Sequence, residues 1–242
     1  MFSEGAARPR LLDLFCGAGG AAMGYYRAGF EVVGVDIKPQ PHYPFEFHQG
    51  DALTWPLEGF DAIHASPPCQ FWTQMAASWR NQGFDGGHVD LLTPTLELLR
   101  PLNLPWVVEN VVGARRGMRA SLMLHGGMFG LRVHRPRLFE SNILMLAPMA
   151  PVTREPVGVY DTRPRGLTHH RTRSDRNGKK SEMRIARTLE EAQEAMGMDW
   201  ADWHGTKEAI PPAYTEWIGH QLIARLGQKT AVPAPSSGEE KG

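Results

Sequence analysis

Arg10-Leu11-Leu12-Asp13-Leu14-Phe15-Cys16-Gly17-Ala18-Gly19-Gly20 is the stretch from which the fold is read. Arg10 to Phe15 is an apolar run of strand length. Cys16 to Gly20 follows as a tight turn, because glycine accepts positive φ and lets backbone amides approach a ligand closely. Ala21 to Ala28 then reads as a helix. A strand, a Gly-rich turn and a helix amino terminus form the opening unit of a doubly wound α/β sheet. Such a turn is also an ordinary tight connection, so the neighbouring segments have to give it meaning. The pattern is not Gly-x-x-x-x-Gly-Lys-Ser/Thr, which disfavours a triphosphate site.

Glu31-Val32-Val33-Gly34-Val35-Asp36 is a second strand that ends in an acid. An acid about 20 residues after a Gly-rich turn is placed to accept hydrogen bonds from ribose hydroxyls. The plainer reading is that Asp36 caps the next segment. Phe45 to Gln49 predicts a third strand, and Gly50-Asp51-Ala52 follows at its end. There a carboxylate can accept from the exocyclic amine of an adenine. The three strand ends together point to an adenosine-containing cofactor without a phosphate subsite.

Phe60-Asp61-Ala62-Ile63-His64-Ala65 is a short buried strand that runs into Ser66-Pro67-Pro68-Cys69-Gln70. The prolines end the ladder and stiffen the turn, presenting Cys69 at the strand's carboxyl end, where open α/β sheets bind ligands. A lone cysteine is usually inert packing, and a rigid Pro-Pro corner is the feature that makes Cys69 a candidate nucleophile. Beyond Gln70 a polar, glycine-containing loop is expected as far as Gly87, longer than most connections of its kind. Val89 to Arg100 has helical spacing, with Pro101 as its stop. Pro105 to Val111 is another buried strand carrying Glu109. A carboxyl group in an apolar strand needs a partner or has a task. Glu109 and Cys69 both lie at carboxyl ends of strands expected to be parallel, which places them side by side.

The 242 residues carry no net formal charge and contain two cysteines, so no Cys-x-x-Cys pair or disulfide framework exists. Apolar content of 42% suits one large globular domain with a small insert. The start of the chain lacks a signal-peptide pattern and no apolar run reaches membrane-spanning length, so a soluble protein of a reducing compartment is expected.

Read in order, these motifs resemble those of the cytosine-5 DNA methyltransferases. Asp13 to Gly20 resembles the first motif, Pro67-Pro68-Cys69-Gln70 the nucleophile motif and Glu109-Asn110-Val111 the acid motif. Arg135-Pro136-Arg137 resembles the Arg-x-Arg that follows, Arg187-Thr188-Leu189-Glu190-Glu191-Ala192 the ninth motif, and Ala209-Ile210-Pro211-Pro212 with Trp217-Ile218-Gly219 the closing motif. An ordered set is far more specific than any member. The resemblance implies a doubly wound, mostly parallel sheet of the class I S-adenosylmethionine-dependent fold. It implies methyl transfer from S-adenosyl-L-methionine to carbon 5 of cytosine, with S-adenosyl-L-homocysteine as product and no metal. Cys69 would attack carbon 6, Glu109 would act at ring nitrogen 3, Arg137 would hold the carbonyl at carbon 2, and Arg135 would favour the thiolate. A base inside a duplex must be flipped out to meet them. Cofactor contacts are implied for Asp13, Phe15, Cys16, Gly17, Gly19, Gly20, Asp36, Ile37, Asp51, Ala52, Pro68, Glu208 and Ala209, and DNA contacts for Gln70 and Thr73.

The sequence departs from the family in three places. Val133 replaces the glutamine that usually precedes Arg-x-Arg, Phe71 replaces the glycine after Gln70, and Lys207-Glu208 replaces a Gly-Asn near the cofactor. Residues 1–140 with 187–229 are expected to form the catalytic domain, 141–186 a small target-recognition region and 230–242 a disordered tail. From Arg163 to Arg187 there are seven arginines and two lysines against one aspartate and one glutamate, a net of plus seven. A charge run is often only a solvated face. Its position in the expected recognition region assigns phosphate contacts to Arg163, Arg165, Arg171, Arg173, Arg176, Lys179 and Lys180. Arg173 to Lys180 is expected to be mobile and to order on DNA. The expected partner is double-stranded DNA, in a bacterial or phage-infected cytoplasm, with a monomeric enzyme and a restriction endonuclease as candidate partner. An RNA cytosine-5 methyltransferase, a catalytically weak DNA-binding relative and a variant using a larger donor remain open.

Overall fold

The computed structural model describes residues 7–73, 87–149, 156–160, 170–174 and 180–230. Seven strands form the main sheet: β1 (Arg10–Leu14), β2 (Glu31–Asp36), β3 (Glu46–Gln49), β4 (Ala62–Ala65), β5 (Trp106–Val111), β6 (Leu122–Leu124) and β7 (Arg137–Ser141). Their order is β3-β2-β1-β4-β5-β7-β6. The first five are parallel and β7 runs antiparallel to both β5 and β6. This is the doubly wound, mostly parallel sheet expected from the sequence. The order turns back between β1 and β4, so the chain opens a crevice at their carboxyl ends.

Strand alternation sorts the core into two layers. Leu11, Asp13, His64, Val107, Glu109, Phe139 and Arg137 share one face, because Asp13 is paired with His64, His64 with Val107, and Glu109 with Phe139. Leu12, Leu14, Ile63, Ala65 and Val108 point the other way and pack with Leu92, Leu96 and Leu99 of α2 (Leu92–Leu99). The first face is covered by α1 (Gly20–Ala28) and by a long carboxyl-terminal helix, Pro212–Thr230. Gly24 lets these two helices touch: a Cβ there would lie 2.1 Å from both the Pro212 carbonyl and Thr215 Oγ1. Thr215 Oγ1 donates to the Ala21 carbonyl at 2.8 Å. The final helix thus returns the chain to the first motif.

The α2 helix starts three residues later than its apolar spacing predicts. Asp90, just before the N-cap residue Leu91, accepts from Leu92 N and Thr93 N at 3.0 and 3.3 Å, and this fixes the entry. Thr188 caps α3 (Leu189–Met196) by accepting from Glu191 N at 3.1 Å, while the Glu191 side chain accepts from Arg187 N. A short helix, α4 (Trp203–Glu208), precedes the long one, which is α5.

A second sheet is built from β8 (Val157–Gly158), β9 (His170–Ser174) and β10 (Lys180–Ile185), in the order β8-β10-β9. Val157 and Val159 sit in a small core with Val133, Ala186 and the α3 residues Ala192, Ala195 and Met196. Arg173 pairs with Ser181 and Ser174 with Lys180 in an antiparallel ladder. Residues 175–179, the centre of the stretch expected to be mobile, lie outside the described residues. The β9 sequence His-Arg-Thr-Arg-Ser carries no apolar alternation, so this strand left no periodic signal.

Candidate active site

A cavity of about 440 Å³ opens at the carboxyl edge of the sheet, within the range of small-molecule sites. One wall is the Gly-rich loop after β1. Phe15 and Gly17 both hold positive φ, at 56° and 48°, which turns the chain sharply away from the strand. Such a backbone is costly for phenylalanine and concentrates at functional sites. Cys16 N donates to the Val35 carbonyl at 3.1 Å and Gly19 N to the Cys16 carbonyl at 3.0 Å, closing the turn. Gly20 is required for close approach, since a Cβ would stand 2.4 Å from the Ile210 carbonyl.

Asp36 faces this cavity and also straps the loop. Its Oδ2 accepts from Gly17 N at 3.1 Å and its Oδ1 from Lys38 N at 2.9 Å. Asp36 therefore caps the next segment, as the plainer reading expected, and lines the cavity as well. Asp51 accepts from Leu53 N at 2.9 Å and lines the same wall, with Ile37 and Ala52 beside it. Phe15, Cys16, Gly17, Gly20, Pro68, Glu208 and Ala209 complete the expected lining. Asp13 and Gly19 do not reach it. Asp13 is fully buried beneath the loop, where burial and then the Asp36 charge push its carboxyl well above the usual range. Gly19 packs against Pro44 and Tyr43.

The opposite wall carries Cys69, Glu109 and Arg137. The Pro67 carbonyl accepts from Asn110 Nδ2 at 2.9 Å, which fastens the Pro-Pro turn to β5. A 3-10 turn at Gln70–Trp72 follows Cys69 where an open loop was expected. Trp72 holds that turn: its Nε1 donates to Asp90 Oδ1 at 2.9 Å, and its ring covers Gly117. Gln70 lines the cavity. Thr73 lies outside the lining, its Oγ1 donating to the Gln70 carbonyl at 3.1 Å.

The antiparallel direction of β7 explains how Arg137 arrives. Val111 is paired with Arg137, so the first residue of β7 stands at the carboxyl end of β5. Glu109 pairs with Phe139 on the same face, which makes Arg137 its diagonal neighbour. Arg137 Nε lies 2.8 Å from Glu109 Oε1 in a nearly buried ion pair. Burial pushes the Glu109 carboxyl up, while Arg137, Arg135 and the nearby Ser66 pull it down. Arg135 is buried, with φ of 34°, and its guanidinium donates to the Lys207 carbonyl below the cavity wall. Burial and Arg137 lower it to about 10. At Cys69 burial pushes the thiol up. Arg137 and Arg135 oppose this, and Glu109 and Glu208 add to it. Burial outweighs the arginines, so the free protein holds a thiol there.

Sequence reasoning missed three side chains on the same sheet face. Tyr25 Oη lies 2.9 Å from His64 Nδ1, and His64 Nε2 lies 2.8 Å from Ser66 Oγ. The available signal was a histidine two residues before Ser66 in a strand, a spacing that puts both on one face. Lys38, Gln40 and His204 also line the cavity, and only the folded connections show it. Val133 lies in the small apolar core and away from the cavity. Arg163, Arg165, Arg176 and Lys179 lie outside the described residues, and Arg171, Arg173 and Lys180 are described as strand backbone alone. Among the described residues no group of side chains could hold a metal ion, and no helix is long and apolar enough to cross a membrane.

Residues 10–119 match the family model of the C-5 cytosine-specific DNA methylases, which bears out the resemblance seen in the motifs. No curated protein matches the chain in sequence. Solved structures share its fold. A protein described as a DNA modification methyltransferase encoded within an E. coli prophage is 17% identical with a TM-score of 0.59, the match covering 91% of this chain and 99% of that one. The S. pombe Dnmt2 methyltransferase is 15% identical with a TM-score of 0.54, and the Entamoeba histolytica methyltransferase EhMeth 11% identical with 0.57. Both matches also cover 91% of this chain and 99% of the other.

Proposed function

We propose, from the match of residues 10–119 to the family model of the C-5 cytosine-specific DNA methylases, that this chain methylates carbon 5 of cytosine in DNA through a covalent Cys69 adduct. The observation that carries the reading is the convergence of Cys69, Glu109 and Arg137 on one cavity wall opposite the Gly-rich loop. The cavity suits a cationic sulfonium donor. Its titratable lining has four carboxylates, Asp36, Asp51, Glu109 and Glu208, against the cations Lys38 and Arg137. Asp36 would meet the ribose and Asp51 the adenine amine, with Phe15 against the ring. When bound, S-adenosylmethionine supplies an electrophilic methyl group.

The chain's own residues then account for the activation of cytosine. Carbon 5 is a poor nucleophile until a thiolate bonds to carbon 6 and turns the ring enamine-like. Cys69 gives up its proton to water as its sulfur bonds to carbon 6, and the nearby arginines favour the charge as it develops. Glu109 donates to nitrogen 3, and Arg137 stabilises the oxygen at carbon 2. After methylation water takes the carbon 5 proton, the electrons of that bond restore the 5,6 double bond, and Cys69 leaves as a thiolate with the electrons of the sulfur–carbon bond. The target base is flipped out of the duplex, and the basic residues between Arg163 and Arg187 contact its phosphates.

Residues 1–140 with 187–229 make up the catalytic domain in this reading, and 141–186 the recognition region. The test offers labelled donor with duplex DNA and with transfer RNA. Incorporation into DNA at cytosine carbon 5 is the expected result, and incorporation into RNA alone would replace the substrate. DNA containing 5-fluorocytosine should leave a denaturation-resistant adduct on Cys69. An adduct elsewhere would remove the mechanism.

A further inference from the structure

We propose that Tyr25, His64 and Ser66 form a one-way hydrogen-bond relay that positions the Glu109 carboxyl group. The relay crosses the sheet face covered by α1. Tyr25 comes down from α1, His64 lies in β4, Ser66 follows β4, and Glu109 lies in the neighbouring β5. Asp13–His64 and His64–Val107 pairing sets His64 on the same face as Glu109, and Ser66 stands one side chain further along. Ser66 and Glu109 line the same cavity from neighbouring strands, and Ser66 pulls the Glu109 carboxyl down, the effect of a hydroxyl turned toward it.

The direction follows from accounting for protons. Tyr25 and His64 are fully buried. Among the described residues, His64 Nδ1 is the one hydrogen-bond partner of the Tyr25 hydroxyl. A buried hydroxyl with one partner gives its proton to that partner. Nδ1 therefore accepts, and the neutral ring carries its proton on Nε2. Nε2–H donates to Ser66 Oγ at 2.8 Å, so the Ser66 hydroxyl proton is left for Glu109. Burial holds His64 neutral, lowering it to about 3, and pushes the Tyr25 hydroxyl up, so both keep these roles across the working pH range. Because Tyr25 ends the chain inside the core, the relay does not conduct protons to solvent. It fixes which way Ser66 points, and hence supplies one permanent donor to a carboxyl group that burial would otherwise leave too basic.

This rests on the reading of Glu109 as the acid at the cytosine ring. Arg137 from β7 and Arg135 from the turn before it act on the same carboxyl, and Glu109 in turn pushes up Cys69 after β4, Tyr25 of α1 and Tyr214 of α5. None of them is altered by Ser66→Ala, which removes only the last link. Losing a hydrogen bond to a charged group should raise the Glu109 titration by about one pH unit. If Glu109 works protonated, the alkaline limb of the rate profile moves up with it. The kcat should fall roughly tenfold, a fraction of what a positioned general acid supplies, with little change in KM. Ser66→Thr should restore both, and Tyr25→Phe should shift the limb the same way by less.

The decisive measurements use the full-length protein and nuclear magnetic resonance. Imidazole ¹⁵N shifts, with His64 assigned through His64→Gln, should report a neutral Nε2–H tautomer between pH 5 and 8. Carboxyl ¹³C titration should give Glu109 in wild type, Ser66→Ala and Tyr25→Phe. An Nδ1–H tautomer, or a Glu109 titration unmoved in folded Ser66→Ala, would overturn the relay. Neither readout needs turnover. A wild type that shows the tautomer and the shift yet transfers no methyl group would leave the relay standing and remove the enzymatic reading alone.

Discussion

Cys16 and Cys69 occupy equivalent places in the topology and opposite electrical surroundings. Each follows the carboxyl end of a central parallel strand, β1 or β4, and each lines the same cavity. Cys16 is buried in the Gly-rich turn, where its thiol is pushed up by burial and then by the carboxylates Asp13 and Asp36. Cys69 follows a Pro-Pro turn and is partly open, with Arg137 and Arg135 working against burial. Position at a strand end makes a residue available. The charges behind it determine whether a thiolate can form there. Acids beneath the first turn suppress thiolate formation at Cys16, whereas arginines beside the second lower the cost of an anion at Cys69.

The sharpest way to break this comparison is to exchange each sulfur for oxygen. Cys69→Ser should abolish methyl transfer, because a hydroxyl is a far poorer nucleophile at neutral pH. Folding and donor binding should survive a near-isosteric change. Cys16→Ser should keep the same maximal rate within a few fold, since its thiol has no chemical step to perform. Methyl incorporation under saturating donor checks both. Normal turnover in Cys69→Ser, or loss of turnover in well-folded Cys16→Ser, would reverse the assignment of the two walls.

A smaller effect probes the first wall alone. Asp36→Ala removes the acceptor proposed for the ribose and also the strap to Gly17 N. Hydrogen bonds to a charged group are each worth about 1.5–3 kcal/mol, so donor affinity should fall on the order of ten- to a hundredfold. The maximal rate at saturation should change much less, because such contacts are made equally in ground and transition states. Calorimetric titration measures the first and steady-state kinetics the second. Unchanged affinity would separate Asp36 from the donor and leave it as a loop strap.

What could be read from the chain depended on whether a residue's role was local. The strand, turn and helix at the first motif follow from glycine conformations and apolar runs, and Cys69 from its prolines, so both walls of the cavity were legible. The link between Glu109 and Arg137 needed the antiparallel direction of β7, and no property of residues 137–141 announces that direction. Central strands here are covered on both faces, so Ala62-Ile63-His64-Ala65 reads as one apolar run. His64 was absorbed into it, and its alignment with Ser66 and Glu109 appears only when register is known. Asp13 was grouped with the cofactor contacts through its motif, although strand alternation turns it beneath the loop. The basic segment was visible as charge and invisible as strands, because β9, His-Arg-Thr-Arg-Ser, has no apolar period.

Glu208 offers the smallest and most discriminating change, since it sits where the two walls meet. It ends α4 and lines the cavity, with Lys207 Nζ 3.4 Å from its Oε1, and its charge also pushes the Cys69 thiol up. Its side chain is 48% exposed, so solvent and Lys207 screen it. If it also faces the carboxylate end of the donor, Glu208→Asn should tighten S-adenosylmethionine by no more than a fewfold, the scale of an exposed like-charge contact. The same substitution should lower the pH at which Cys69 reacts with a neutral alkylating reagent and leave Cys16, which Glu208 does not influence, unchanged. Titrating donor affinity and thiol reactivity on one preparation separates the possibilities. Both altered means Glu208 lies between donor and nucleophile. Faster Cys69 alkylation with unchanged donor affinity confines its action to the nucleophile wall, and unchanged values of both would remove Glu208 from the site's electrostatics.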